Sequence, residues 1–171
     1  MPYVDPQTVH NPATGSVIPA AWGDTVRDDL EFLIDPPACS VYHNTTQSLS
    51  DDTTTACLAN SENYDNDSMH STSSSTSRIT ATTAGRYLLY ATVAFDASGT
   101  GRRLVYMRVN GTTSYLLNSI VPPNSPTTCV VPVFKTLVLA ATDYVEVMAN
   151  QNSGGALNVT LSEFAATFVT R

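Results

Sequence analysis

The sequence predicts an all-β fold, a sandwich or jelly roll of short antiparallel strands, preceded by an extended N-terminal arm with one short helix. Three observations carry this expectation. Apolar runs of strand length recur through residues 39–171, with turn signals every ~8–12 residues. Thr, Val and Tyr are abundant while Lys and Glu are few and charged residues make up only 13 %, a balance that favours strands over helices. Asn110-Gly111 sits between two such runs, and Asn-Gly is the strongest short-range hairpin signal. At 171 residues and 42 % hydrophobic, the chain is the size of one ordinary domain and can bury a core.

Residues 1–38 hold six of the ten prolines and carry a net charge of −5, against −7 for the whole chain. Repeated proline forbids a central strand or a long helix between Pro2 and Pro19, so this stretch reads as an extended arm. A helix over 24–34 interrupts it, with Asp24 or Thr25 as N-cap and Pro36-Pro37 as its stop. Val26, Leu30 and Leu33 recur at helical spacing and give it one apolar stripe. At about ten residues such a helix is not stable alone in water. Its stripe and Trp22 therefore need the body, a symmetry mate or a foreign partner.

From residue 39 onward the elements are strands. A short alternating run covers 39–44, and the Ser/Thr-rich stretch 44–77 reads as loops with short strands around Cys57 and Tyr64. Residues 78–82 form a strand, 83–85 a turn, and 86–95 a long strand. Residues 104–109 and 113–121 are the two arms of the Asn110-Gly111 hairpin. Pro122-Pro123-Asn124-Ser125-Pro126 is a rigid loop, followed by strands over 129–139, 144–149 and 157–169.

Several function classes are disfavoured. The net charge is −7 and Lys135 is the only lysine, so the clustered cations of a nucleic-acid surface are missing. No apolar run approaches the ~20 residues that span a bilayer, so no membrane partner is expected. The N-terminus has no basic, apolar leader, so no secretory signal is expected. The three cysteines, Cys39, Cys57 and Cys129, are odd in number and widely spaced, which reads as buried small residues rather than a disulfide framework. No nucleophile elbow, Gly-rich phosphate loop or H-E-x-x-H is present. Cys39 and His43 share a strand face but lack two further zinc ligands. Asp65-Asn66-Asp67-Ser68 offers hard oxygen ligands of the kind that bind Ca²⁺ but reads first as an Asx-rich turn. Arg102-Arg103 with Arg108 is the one basic cluster, read as a solvated face or a partner for an acidic neighbour. The sequons at Asn44, Asn66, Asn110 and Asn158 are not expected to be glycosylated without a secretory signal. No enzyme activity, metal or cofactor is therefore expected.

Several phrases occur in a familiar order. Tyr64-Asp65 precedes the first long strand, which opens Thr83-Ala84-Gly85-Arg86-Tyr87-Leu88-Leu89-Tyr90-Ala91. The hairpin Arg108-Val109-Asn110-Gly111 follows, then Leu139-Ala140-Ala141-Thr142-Asp143-Tyr144-Val145-Glu146-Val147, with Thr142 where glycine is usual. Ser162-Glu163-Phe164-Ala165-Ala166-Thr167-Phe168 closes the series. Together they resemble the complement globular-head and tumour necrosis factor-like (TNF-like) jelly roll, well over 75–171 and loosely over 39–74. That resemblance implies a homotrimer in which one sheet face packs about a three-fold axis. Tyr87, Tyr90, Tyr106, Tyr144 and Phe164 are the interface residues expected on this reading.

The phrase Val9-His10-Asn11-Pro12-Ala13-Thr14-Gly15, with Pro19-Ala20-Ala21-Trp22-Gly23-Asp24-Thr25-Val26-Arg27-Asp28, is similar to the openings of small structural proteins of tailed bacteriophages. This resemblance implies a virion protein, assembled in the bacterial host cytoplasm, of the capsid-decoration or head-fibre type. The arm would fasten the jelly roll to the major capsid protein or another virion protein, through Tyr3, Val9, Trp22, Val26, Leu30 and Leu33. Fully extended, its residues reach at most about 125 Å, and three arms on one body would add by avidity. The second reading is a tail-fibre or minor tail protein that binds a host-cell glycan or protein through the loops at 44–77 and 122–128.

Overall fold

The structure, a computed structural model, describes residues 20–120 and 128–170. One helix, α1 (Ala20–Ile34), precedes eleven strands in the described residues: β1 (Ala38–His43), β2 (Gln47–Leu49), β3 (Thr55–Ala56), β4 (Ser61–Asp65), β5 (Arg78–Thr80), β6 (Gly85–Phe95), β7 (Arg103–Val109), β8 (Thr113–Ile120), β9 (Cys129–Leu139), β10 (Tyr144–Gln151) and β11 (Leu157–Thr170). They form two antiparallel sheets. The first runs β4-β1-β11-β6-β9, with β2 also on β11; the second runs β3-β10-β7-β8, with β5 also on β10. This is a jelly roll, in which strands close in sequence are divided between two packed sheets.

Period-2 burial sets the inner faces. In β6, Tyr87, Leu89, Ala91, Val93 and Phe95 point inward, and Val131, Val133, Leu137 and Leu139 of β9 do the same. Val105 and Met107 of β7 and Val145 and Val147 of β10 meet them from the other sheet. Burying each large side chain contributes about 1.5–3 kcal/mol. Pro132 lies in β9, at the edge of its sheet, the place where a missing N–H is tolerated. Asn110 and Gly111 both take positive φ, 51° and 69°, and so make the tight turn that the Asn-Gly pair predicts.

The helix begins earlier than the capping pattern suggests. Ala20 and Ala21 are strong helix formers and extend it to Ala20. Thr25 is therefore an interior residue whose Oγ1 donates to the Ala21 carbonyl (3.0 Å), and Asp24 pairs with Arg27 (3.1 Å). The helix docks on the body through Phe32, whose ring meets Phe168 edge-on at 5.1 Å; Phe168 in turn meets Tyr87 at 5.5 Å. Asn66 clamps the linker behind it. Its Nδ2 donates to Asp35 (2.6 Å) and to the Pro36 carbonyl (3.0 Å), and its Oδ1 accepts from the Ala38 N–H (2.7 Å).

Candidate functional site

The first sheet has a second face, turned away from the core, and it is the feature of the body most in need of explanation. Register places Tyr64, Ser40, Ala165, Tyr90 and Phe134 in one row across five strands. At ~4.8 Å per strand this row spans about 19 Å. The flanking row is Ala38, Thr167, Leu88 and Thr136; on the other side lie Tyr42, Glu163, Thr92 and Pro132, then Leu161, Ala94 and Val130. Phe134 is 68 % exposed, Val138 74 %, and Tyr90 44 %, with Leu88, Val130 and Tyr64 also open to solvent. The centre is paved with small residues, Ser40, Ala165 and Thr167, so a second surface can approach closely. A monomeric protein rarely exposes so many apolar side chains together, and such patches mark interaction sites.

The aromatic residues expected at an interface divide differently. Tyr90 lies on this outer face. Tyr87 and Phe164 are corrected to core residues. Both are buried, because they occupy the inward parity of β6 and β11, and the Tyr87 hydroxyl donates to the Thr83 carbonyl at 2.7 Å. Tyr106 and Tyr144 belong to the other sheet, where the Arg78 guanidinium sits 3.9 Å from the Tyr144 ring centre. Phe134, one of the aromatic residues available to either core or interface, lies on the outer face too; Leu88, Val130, Val138 and Tyr64 were not expected, although a signal existed. In β6 and β9 both parities are apolar, the pattern of a strand covered on both faces.

Of the expected arm residues, Tyr3 and Val9 lie outside the described residues. Trp22 and Val26 are half-buried, while Leu30 and Leu33 are exposed. The helix uses Phe32 for the body instead, because Phe32 and the stripe lie on different sides of it.

The polar groups do structural work. Glu146, buried in β10, accepts from Arg108 (2.8 Å), Ser77 (3.0 Å) and Arg78 (3.3 Å). Burial pushes its carboxyl up, but these hydrogen bonds outweigh that and hold it below the usual carboxylate range. The expected basic cluster is dispersed: Arg103 and Arg108 have opposite parity in β7, and Arg102 lies just before it. Arg103 is fully buried and donates to the carbonyls of Ser98, Thr100 and Arg102, Arg108 is tied to Glu146, and Arg102 stays partly exposed near Asp52. Asp65 closes a turn by accepting from the N–H groups of Asp67, Met69 and His70. The three thiols are buried and unpaired, and burial pushes Cys57 up to about 12, so it is not a nucleophile at neutral pH. Among the described residues no group of three or more His, Cys, Asp or Glu converges on one point.

Searched by sequence, the chain matches no family model and no curated protein. Its structure is similar to solved jelly rolls. The globular domain of zebrafish complement 1qA is 20 % identical with a TM-score of 0.57, the match covering 79 % of this chain and 98 % of that one. Murine APRIL is 13 % identical with a TM-score of 0.55, covering 77 % and 99 %. Eiger TNF from S. frugiperda is 13 % identical with a TM-score of 0.52, covering 78 % and 94 %. At these identities the likeness is one of fold: the chain is a C1q/TNF-like jelly roll.

Proposed function

We propose that the chain is a non-enzymatic structural protein, a homotrimer built on the outer face of the first sheet and fastened by residues 1–38 to a larger assembly, the surface of a phage particle. The observation that carries the self-association is the exposed apolar face around Tyr90 and Phe134. The small residues at its centre suit close approach. The phage assignment and virion location rest on the resemblance of the opening phrase and on the arm, whose Pro-rich and acidic composition differs from the body's.

Two measurements test the two parts. Light scattering on the full chain is expected to give about 55 kDa, three times the 18.3 kDa chain; a mass near one chain at every concentration overturns the trimer. Deletion of residues 1–38 is expected to leave the body's fold intact and abolish its attachment to phage particles. Truncated protein that still decorates particles overturns the anchoring role.

A further inference from the structure

We infer that α1 meets the α1 helices of two further copies of this chain in a short parallel three-helix seam, an inference that rests on the self-association proposed above. The helix has two faces aimed at different places, one acidic apart from Phe32 and one apolar. Asp28, Glu31, Phe32 and Asp35, with the residue after its end included, line a cleft of about 200 Å³ against the body. Val26, Leu30 and Leu33 are spaced four and then three apart, which are positions d, a and d of a heptad. In that register Asp28 and Asp35 fall at f, Glu31 at b and Phe32 at c. Every α1-side residue of the cleft thus lies on the back of the heptad. The C-terminal part of the seam faces away from the chain's own body, with Leu30 52 % and Leu33 72 % exposed, while Val26 is half-buried.

The charges favour copies of the same helix over a foreign surface. Asp24 and Glu31 fall at b and Asp28 at f, the positions farthest from neighbouring helices in a bundle. Arg27 is held within its own helix by Asp24, Asp28 and Glu31, at 3.1, 3.2 and 3.8 Å. Asp29, at g, faces position e of the next helix, which is Ile34 and not an acid. Acidic copies therefore meet along a and d without opposing like charges. A foreign surface wrapping the helix would instead need to be basic.

Placement agrees. Only Asp35, Pro36 and Pro37 separate α1 from Ala38, so the helix end lies within about 14 Å of that residue. Ala38 begins the row that contains Leu88, and Val138 and Val169 extend the exposed apolar surface nearby. Copies that share the sheet face hold their helices at millimolar effective concentration, enough for a seam too short to form between free helices.

The test uses the full chain with Leu33→Cys, and with Glu31→Cys as its partner at position b. Both sites are exposed, and the three native cysteines are buried. Under mild oxidation of a trimer, Leu33→Cys is expected to form interchain disulfides at least about tenfold faster than Glu31→Cys. A trimeric mass with equal rates at the two positions overturns the seam and leaves the trimer standing. A monomeric mass for the unmodified chain overturns the trimer and the seam with it.

Discussion

Thr142 shows how one residue records the demands of a turn. It lies between β9 and β10 at φ 77°, and its N–H donates to the Ala81 carbonyl at 2.7 Å. A β-branched side chain in the left-handed region is strained, and this is the position where the resembling turn has glycine. Thr142→Gly is expected to raise unfolding free energy by about 0.5–1 kcal/mol, the relieved strain less the greater entropy of unfolded glycine, as read by urea denaturation. Unchanged or lower stability would show that the threonine side chain compensates. Glu146 makes the opposite case, a polar residue whose importance alternation alone does not reveal. Its folded carboxyl is held down, so its contribution is fully present above the unfolded value of about 4.3 and is lost as pH falls through the lower folded value. Glu146→Gln is expected to cost about 1–3 kcal/mol at pH 7, with the gap from the native protein closing below about pH 4. A gap that is constant with pH would remove the ion-pair explanation. The arginines teach the same lesson: Arg102 and Arg103 look like a cluster in the sequence, yet Arg102 lies exposed just before β7 and Arg103, the first residue of that strand, is fully buried.

At the scale of elements, most of the fold was legible. The strand over 129–139 coincides with β9, the first arm of the Asn110-Gly111 hairpin differs from β7 by one residue at its start, and the second coincides with β8 over the described residues. Turn chemistry and period-2 alternation are local properties, so a sequence displays them. The facing of a strand is less local. Alternation divides β6 into two sets of residues, but when both sets are apolar it does not say which one the second sheet covers. Aromatic content therefore pointed to Tyr87, which lies inside, as readily as to Tyr90, which lies outside. The helix failed in the same way. Its stripe of Val26, Leu30 and Leu33 is periodic and was legible, while its actual contact, Phe32 on Phe168, depends on the angle at which Pro36 and Pro37 deliver the chain into β1. That angle is a tertiary property.

At the scale of the whole molecule, charge and apolar surface are segregated in a way that suits assembly. The arm, residues 1–38, carries −5 of the net −7, leaving the body at −2. Bodies can therefore meet through an apolar face with little mutual repulsion, while the acids of the arm helix stay off the apolar positions of its seam. If the outer face is buried between copies, folding and association are linked, and stability depends on concentration. The thermal midpoint is then expected to rise by about 2–3 °C for each tenfold increase in protein concentration, given the unfolding entropy of a domain this size. Phe134→Asp is the matching variant. Phe134 is exposed within one copy, so the substitution leaves the protomer's core untouched but puts three carboxylates into the shared face. It is expected to abolish the concentration dependence and lower the midpoint, while the β-sheet circular dichroism of the folded protein is retained. A midpoint independent of concentration in the native chain, and unmoved by Phe134→Asp, would mean that the face stays solvated and that the sandwich core alone holds the jelly roll together.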